Sequence, residues 1–316
     1  MANNNALAAQ DVNEMRFRDV IQTLKFQNLI KQTLGNPKKV ERYTAAIISA
    51  VNTNPELQKC DALSIVSGSL LAESLNLAHS PQLGQYYLVP FNNRKQGTTN
   101  AQFILGYKGY IQLATRSGNY KKINVMEIKE GELVSYNPFD EDIVLNPIQD
   151  VDERVKTPTM GYYAMFEYIN GFKKVIYWSK AQMLAYADKY SPAFSAEGGT
   201  IKTQYGEKHK VSYDDYIAGN YNKKDEWMYS SFWYKDFDSM AKKTMLRQLI
   251  SKWGVMSTDM VQALDTDNSV IKIDKGNFAA DIPESENLFD NTSDTVETLE
   301  VDTETDEVTE VNFDEL

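Results

Sequence analysis

Cations are concentrated in a part of the chain that contains no carboxylates. Residues 74–126 include no aspartate or glutamate, although both occur on either side. Folded domains normally mix both signs on their surfaces, and a carboxylate would oppose the counterion release that drives phosphate binding. The segment therefore favours contact with a polyanion, although chance and buried strands that exclude charge are an alternative explanation. Its cations are Arg94, Lys95, Lys108, Arg116, Lys121 and Lys122.

One helix predicted within this segment has a polar stripe. Lys108, Gln112 and Arg116 recur every four residues, which places them on one face of a helix. The start of the helix, at Gly106–Gly109 and including Tyr107, could offer backbone N–H groups to a phosphate. Gly109 would also permit a close approach. A solvated helix face remains the alternative.

Residues 239–258 form a second acid-free stretch, on a predicted long helix. Lys243 and Arg247 are expected opposite its apolar face, whereas Lys242 projects towards that face and must extend past it or contact an anion. In a predicted hairpin with a turn at Asn170-Gly171, Tyr168 is expected opposite Lys173. Aromatic rings beside cations suit stacking on bases, and they also suit an ordinary sheet core.

Catalytic patterns are scarce. The two histidines, His79 and His209, are far apart, and the single cysteine is Cys60, so a zinc site or a nucleophile activated by histidine is not expected. There is no phosphate-binding loop of the G-x-x-x-x-G-K-[ST] type. We predict no enzyme activity, no cofactor and no metal site. A metal-dependent nuclease remains an alternative, with the candidate ligands Asp214, Asp215, Asp236 and Asp238.

Charge divides the chain into two parts. Residues 281–316 contain 14 acidic and no basic residues, so 33 basic and 30 acidic residues remain in residues 1–280. We predict a body at 1–260 and an acidic, largely disordered tail at 261–316 that docks a partner or regulates the body. No membrane span, signal peptide or internal disulfide is expected, which indicates a cytoplasmic protein.

The pattern of apolar residues predicts an α+β fold with amino-terminal helices, a central antiparallel sheet with hairpins packed on helices, and a long carboxyl-terminal helix. Asn36 and Asp61 are expected to cap helices, and residues 191–224 are expected to be a long loop. The predicted helices are 12–34, one after Pro37, 61–76, 107–117, 179–190 and 230–253, and the predicted strands are 85–91, 102–106, 121–128 and a hairpin at 159–178.

Three segments resemble the RecT family of phage single-strand annealing recombinases. Residues 105–118 read LGYKGYIQLATRSG, similar to the family's IGYRGMIDLARRSG, while 86–92 read YYLVPFN, similar to AYLLPF. Residues 240–249 read MAKKTMLRQL, similar to MAKKTAIRRL. The segments keep the family order, so the resemblance covers roughly residues 20–260.

Residues carried over from the family coincide with the cations above. Lys108 stands where the family has arginine, and Arg116 matches a second arginine. Thr115, Gln112 and Gln248 depart from the family pattern, which has arginine, aspartate and arginine at these positions. Direct matches are Lys242, Lys243 and Arg247.

The resemblance implies ATP-independent annealing of DNA, assembly into a ring or helical filament, and a partner exonuclease. A host single-strand-binding protein is a further possible partner, and annealed duplex is the expected product. The amino-terminal helices or the 92–101 loop are candidate contacts between protomers. A scaffolding protein that does not bind DNA remains an alternative. The predicted DNA-binding residues are Arg94, Lys95, Tyr107, Lys108, Gln112, Arg116, Lys121, Lys122, Lys173, Lys242, Lys243 and Arg247.

Overall fold

Helices and antiparallel strands alternate along the chain in a computed structural model that describes residues 16–93, 97–203, 206–274 and 277–281. The α-helices are α1 (Phe17–Ile21), α2 (Leu24–Leu34), α3 (Pro37–Thr53), α4 (Ala62–Ser74), α5 (Tyr107–Arg116), α6 (Val151–Lys156), α7 (Lys180–Tyr190), α8 (Tyr213–Ile217), α9 (Phe232–Lys235), α10 (Phe237–Trp253) and α11 (Thr258–Asp265). The strands are β1 (Tyr86–Asn93), β2 (Thr98–Leu105), β3 (Tyr120–Lys129), β4 (Leu133–Asn137), β5 (Asp142–Leu145), β6 (Thr159–Tyr168), β7 (Lys173–Ser179), β8 (Gly199–Thr203), β9 (Gly206–Lys210), β10 (Ser269–Asp274) and β11 (Asn277–Asp281). The predicted α+β class is confirmed.

The two predicted helix caps are present. The Asn36 side chain accepts a hydrogen bond from the backbone N–H of Lys38 at 2.9 Å, and Pro37 occupies the first helical position, where no donor is needed. The Asp61 carboxylate accepts from the backbone N–H of Ser64 at 3.0 Å. Short polar side chains before an apolar stripe therefore located these two helix starts correctly.

Two predicted helices are interrupted. The predicted helix at 12–34 consists of α1 and α2, and its residues 12–15 lie outside the described residues. The predicted helix at 230–253 is split into α9 and α10 at Asp236, whose side chain accepts from the backbone N–H of Ser239 at 3.2 Å. Asp236 thus starts a new helix, because its carboxylate satisfies a first-turn donor.

Two segments predicted to lack regular structure contain it. Residues 191–224 include the β8–β9 hairpin and α8. The disorder predicted beyond about residue 265 is wrong for β10 and β11, and the predicted boundary at 260 falls inside α11. The segment that contains β10 and β11 is rich in aspartate, a composition that predicts disorder. Its apolar residues Val270 and Ile271 are nevertheless buried. Residues 282–316 lie outside the described residues.

Two antiparallel sheets organise the described chain. The first has the order β1-β2-β10-β11, in which Val270 of β10 pairs with Gln102 of β2. The second has the order β3-β6-β7. The β4–β5 and β8–β9 hairpins form separate two-stranded sheets. Among the described helices, none combines the length and apolar character required to cross a bilayer.

The predicted register of the β6–β7 hairpin is wrong by one residue. Lys173 pairs with Glu167 rather than with Tyr168, because the loop has three residues instead of two. Gly171 has a φ of +88°, and the Tyr168 N–H donates to the Phe172 carbonyl at 2.8 Å. A type I turn followed by a glycine in the left-handed region gives this loop, whereas the predicted two-residue turn would require positive φ at both turn residues.

Aromatic side chains build much of the core behind the second sheet. Tyr162 and Phe166 of β6 pack with residues of α9 and α10, and Phe194 lies 4.7 Å from Tyr234 between ring centres. Most of these rings are therefore structural, as the sheet-core alternative anticipated. The buried aromatic members of this cluster are Tyr162, Phe166, Phe194, Tyr213, Tyr229, Trp233, Tyr234 and Phe237.

Candidate nucleic-acid interface

Helix α5 is held tightly against the turn that precedes β1. A Cβ at Gly109 would lie 2.1 Å from the Gln85 carbonyl oxygen, and one at Gly106 would lie 2.2 Å from the Gly84 carbonyl oxygen. Gly109 therefore accommodates the protein's own backbone, which corrects the expectation that it admits a phosphate. The Gly106 N–H donates to Gln85 at 2.9 Å, and the Gly109 N–H donates to Gly106 at 2.9 Å. At most the N–H groups of Tyr107 and Lys108 remain for an anion.

The first turn of α5 brings cations and tyrosines together. Lys108 is exposed and Tyr107 is partly buried. The ammonium nitrogen of Lys242, from α10, lies 5.3 Å from the centre of the Tyr107 ring, and that of Lys108 lies 6.0 Å from it. Tyr87 of β1 is 38% exposed, and burial, with Asp236 and Tyr107 nearby, raises its pKa. Tyr87 therefore stays neutral and does not repel an anion.

Two carboxylates reach this cluster from outside the acid-free segment: Asp236 lies near Tyr87, and Glu127 contacts Lys242. Glu127 Oε2 accepts a hydrogen bond from Lys242 Nζ at 3.2 Å. Burial alone would raise the pKa of Glu127, but hydrogen bonds and the Lys242 ammonium outweigh burial and lower that pKa. Glu127 therefore stays ionised and offsets the charge of Lys242, which leaves Lys108 as the exposed cation of the first turn of α5.

Gln112 and Arg116 continue along α5 into a cleft of about 760 Å³. The Arg116 guanidinium donates to the carbonyl oxygens of Leu75 and Asn76, which follow the last turn of α4. Such carbonyls have no partner within their helix, so Arg116 stabilises the end of α4 while remaining on the surface. Gln112 is partly exposed beside it.

Lys243 and Arg247 are not on the surface that was predicted for them. The Lys243 side chain is 5% exposed and donates to Asp267 Oδ1 at 2.9 Å. Arg247 NH1 lies 3.4 Å from Asp267 Oδ2, and the Asp267 side chain has no exposed surface. This finding corrects the prediction that an acid-free helix face is a nucleic-acid face, because the carboxylate comes from the turn between α11 and β10.

Asp267 joins three elements, α10, β2 and α5, through the same carboxylate. It also accepts from the backbone N–H of Leu105 at 2.8 Å and from the Tyr110 hydroxyl at 3.2 Å. Burial, with the neighbouring Asp267 carboxylate, raises the pKa of Tyr110 well above its ordinary range, so the phenol remains a donor. Sequence analysis missed Asp267 because the residue was assigned to the tail.

Lys121, Lys122 and Lys173 form a separate cationic group at the end of the second sheet. Glu167 stands between them, since it pairs with Lys122 on β3 and with Lys173 on β7. Lys121 Nζ lies 2.5 Å from Glu167 Oε1. Most of helix α5, which is about 15 Å long at 1.5 Å per residue, lies between Lys108 and Lys121 in the chain.

The remaining predicted site residues fall into two classes. Arg94 and Lys95 lie outside the described residues. The candidate carboxylates for a nuclease have structural contacts: Asp238 accepts from the Tyr162 hydroxyl at 2.6 Å, and Asp215 accepts from the Ser212 hydroxyl at 2.8 Å. Within the described ranges, no three histidine, cysteine or acidic side chains are grouped so that they could hold a metal ion.

Comparison with known proteins gives matches along most of the chain. The model of the RecT family matches residues 41–281. An uncharacterized protein of Bacillus subtilis (strain 168), YqaK, is 36% identical over 250 residues, which cover 79% of this chain and 71% of that protein. Protein RecT of Escherichia coli (strain K12) is 34% identical over 118 residues, which cover 36% of this chain and 44% of that protein. The family match includes β10 and β11, in agreement with their place in the first sheet.

Proposed function

The chain belongs to the RecT family, and from that premise we propose that it binds single-stranded DNA and anneals complementary strands without ATP. Membership supports a role in DNA recombination by annealing. The proposal adds an oligomeric ring or filament, an annealed duplex as the product, and action in the bacterial cytoplasm. A partner exonuclease and a host single-strand-binding protein would supply or release the strands.

The observation that carries the proposal is the solvent-facing start of α5. Lys108 offers an exposed ammonium beside the rings of Tyr107 and Tyr87, and α5 itself contains no acid. A lysine is suited to neutralising a phosphate, and partly exposed tyrosines are suited to stacking on bases. Both contacts are indifferent to sequence, which an annealing protein requires.

The proposed contact surface, which we call the α5 surface, is narrower than the set predicted from sequence. It consists of Tyr107, Lys108 and Gln112, with Lys242 contributing once Glu127 is displaced. Arg94 and Lys95, outside the described residues, stay separate predictions from sequence. Arg116 supports the surface by holding α4 against α5. Lys243 and Arg247 act from within, because they fix α10 beside α5.

Fluorescence anisotropy with a labelled oligonucleotide, followed by an annealing assay without ATP, tests the function. We expect the logarithm of the association constant to fall linearly with the logarithm of salt concentration, and Lys108→Ala to reduce that slope by about 0.7. Lys39→Ala, at an exposed position of α3, is the matched control. Binding that is insensitive to salt, or unchanged annealing by Lys108→Ala, would contradict the proposal.

The same assay separates the alternatives. With magnesium present, a nuclease would degrade the labelled strand, whereas an annealing protein leaves it intact and pairs it. A scaffolding protein would show no DNA affinity even at low salt.

Deletion of residues 282–316 tests the tail. We expect tighter DNA binding or loss of capture of the partner exonuclease. Unchanged DNA binding and unchanged capture would indicate a solubilising role.

A further inference from the structure

Helix α6 presents its apolar side chains to solvent. Val151 is 73% exposed and Val155 is 74% exposed, and they lie one turn apart on the same side of the helix. Arg154 of this helix faces the protein, where its Nε donates to Glu132 Oε1 at 2.6 Å and its NH2 donates to the Glu127 carbonyl oxygen at 2.8 Å. Burial of an ion pair on the inside and valines on the outside is the reverse of an ordinary surface helix.

Acidic side chains surround these valines. The backbone N–H of Glu130 donates to the Pro158 carbonyl at 2.9 Å, which brings the β3–β4 turn next to the end of α6. Lys156 is an exposed cation here and offsets part of the negative charge. We call this surface the acidic end, and its exposed residues are Glu130, Asp150, Val151, Asp152, Glu153, Val155 and Met160.

The other end of the same sheet has the opposite charge and its own exposed apolar residues. Ile169 is 71% exposed and Phe172 is 48% exposed, both in the β6–β7 turn region. They lie beside the three lysines described above, and Glu167 is the acid that pairs with those lysines. We call this surface the basic end, and it consists of Lys121, Lys122, Ile169, Phe172 and Lys173.

The two ends cannot meet within one copy of the chain. Helix α6 leads directly into the start of β6 at Thr159, while the turn at Ile169 follows the last residue of that strand. Ten residues of strand separate them by about 33 Å. A contact between different surfaces of identical subunits repeats from copy to copy, and it produces a closed ring or an open filament.

We propose that the basic end of one copy docks on the acidic end of the next, so that the β3-β6-β7 sheets follow one another head to tail. The inference rests on the proposed function in one respect. That function includes assembly of several copies, and the inference names the surfaces through which the copies touch. Val151 and Val155 would pack against Ile169 and Phe172, while the lysines would face the carboxylates around α6. The amino-terminal helices and residues 92–101, predicted from sequence to join protomers, stay candidates for other contacts.

A nucleic acid fits the basic end less well than a protein does. Glu167 lies among the lysines, and its hydrogen bond with Lys121, together with the neighbouring lysines, lowers its pKa. It therefore stays ionised and opposes a phosphate. Phe172 is an exposed ring at this end, whereas Ile169 at the tip presents an aliphatic surface that valines match better than bases do. The opposite charges of the acidic end and the basic end also favour contact between two copies of the chain.

Charge reversal at each end, with sedimentation velocity as the measurement, tests the proposal. Lys122→Glu/Lys173→Glu makes both ends acidic, and Asp152→Lys/Glu153→Lys makes both ends basic. We expect each variant alone to lose assembly. An equimolar mixture of the two should regain it, because acidic ends then meet basic ends in alternation, and a misfolded variant could not be rescued in this way. Lys223→Glu/Lys224→Glu, at exposed lysines distant in sequence from both ends, is the control for net charge.

Other outcomes would overturn the proposal. If both reversed variants assemble normally, or the mixture fails to recover while both variants unfold like the wild type, the two ends do not meet. If Lys122→Glu/Lys173→Glu keeps assembly but weakens DNA binding and its salt dependence, the basic end contacts DNA. Val151→Ser/Val155→Ser gives an independent check, since exposed valines can be replaced without loss of folding, and assembly should weaken. Measuring assembly without DNA keeps this result separate from failure of the annealing function.

Discussion

Helices α5 and α10 pack against each other and both carry cations at multiples of four residues, but they use those cations differently. On α5, Lys108 faces solvent beside Tyr107. On α10, Lys243 and Arg247 turn inwards to the Asp267 carboxylate, which has no exposed surface. The ammonium of Lys242, which lies near Tyr107, is paired with Glu127. Helix α5 therefore presents a cation to solvent, whereas the cations of α10 hold the two helices together through Asp267.

The difference shows that the spacing of cations along a helix does not determine whether those cations face solvent or the protein interior. A buried ammonium needs a partner that compensates for lost hydration, and the turn after α11 supplies one. An exposed ammonium needs none. Substitutions on the two helices therefore test whether α5 and α10 use their cations differently.

The adjacent residues Lys243 and Lys242 should differ most in their effect on folding. Lys243→Ala removes one partner of a buried ion pair and should lower the free energy of unfolding by about 3 to 5 kcal/mol. Lys242→Ala removes a partly exposed pair with Glu127 and should cost about 1 kcal/mol or less. Urea denaturation of both variants gives the comparison. Equal losses would show that Lys243 is not specially anchored and would remove the distinction between the two helices.

Close packing of α5 should give the next largest effect. Alanine is favoured over glycine within a helix by about 1 kcal/mol, so Gly109→Ala would stabilise an exposed helix. Here the added methyl group would lie 2.1 Å from the Gln85 carbonyl oxygen, and overpacking of this kind costs about 1 to 3 kcal/mol. We expect a net loss in thermal unfolding, whereas Thr115→Ala, exposed on the same helix, should be nearly neutral. A Gly109→Ala protein as stable as the wild type would mean that α5 can move away from β1.

The contacts of Lys243 and Gly109 also show which features of the fold can be predicted from the sequence. Local signals located α3, α4 and α5, because caps such as Asn36 and apolar periodicity depend on neighbouring residues only. The RecT segments were recognised correctly as well. Asp267 was missed because its role depends on partners 157 residues away at Tyr110 and 162 residues away at Leu105. The hairpin register was missed because only Gly171, and not Asn170, adopts positive φ.

A carboxylate added to each helix should separate their roles in binding. Gln112→Glu places a negative charge on the α5 surface and should lower the affinity for single-stranded DNA about fivefold, for a repulsion of about 1 kcal/mol. Ser251→Glu makes the same change in charge at an exposed position of α10 and should leave affinity nearly unchanged. Anisotropy titrations at one fixed salt concentration make the comparison. A larger loss for Ser251→Glu would move the interface from α5 to α10.

The smallest effect concerns Glu127, the acid that binds Lys242 beside α5. Glu127→Gln should release Lys242 towards DNA, raise affinity about twofold, and increase the salt slope by at most about 0.7.

The same substitution should change how stability depends on pH. Burial would raise the pKa of Glu127, but its hydrogen bonds and Lys242 lower it. The folded pKa is thus below the unfolded value of about 4.3, so this stabilisation is complete above that value and disappears as pH falls through the folded pKa. Wild type and Glu127→Gln should therefore differ in stability at pH 6 and converge as the pH falls below the folded pKa of Glu127. A difference that grows on acidification would contradict the pairing, and unchanged DNA affinity would show that Lys242, like Lys243, serves the fold alone.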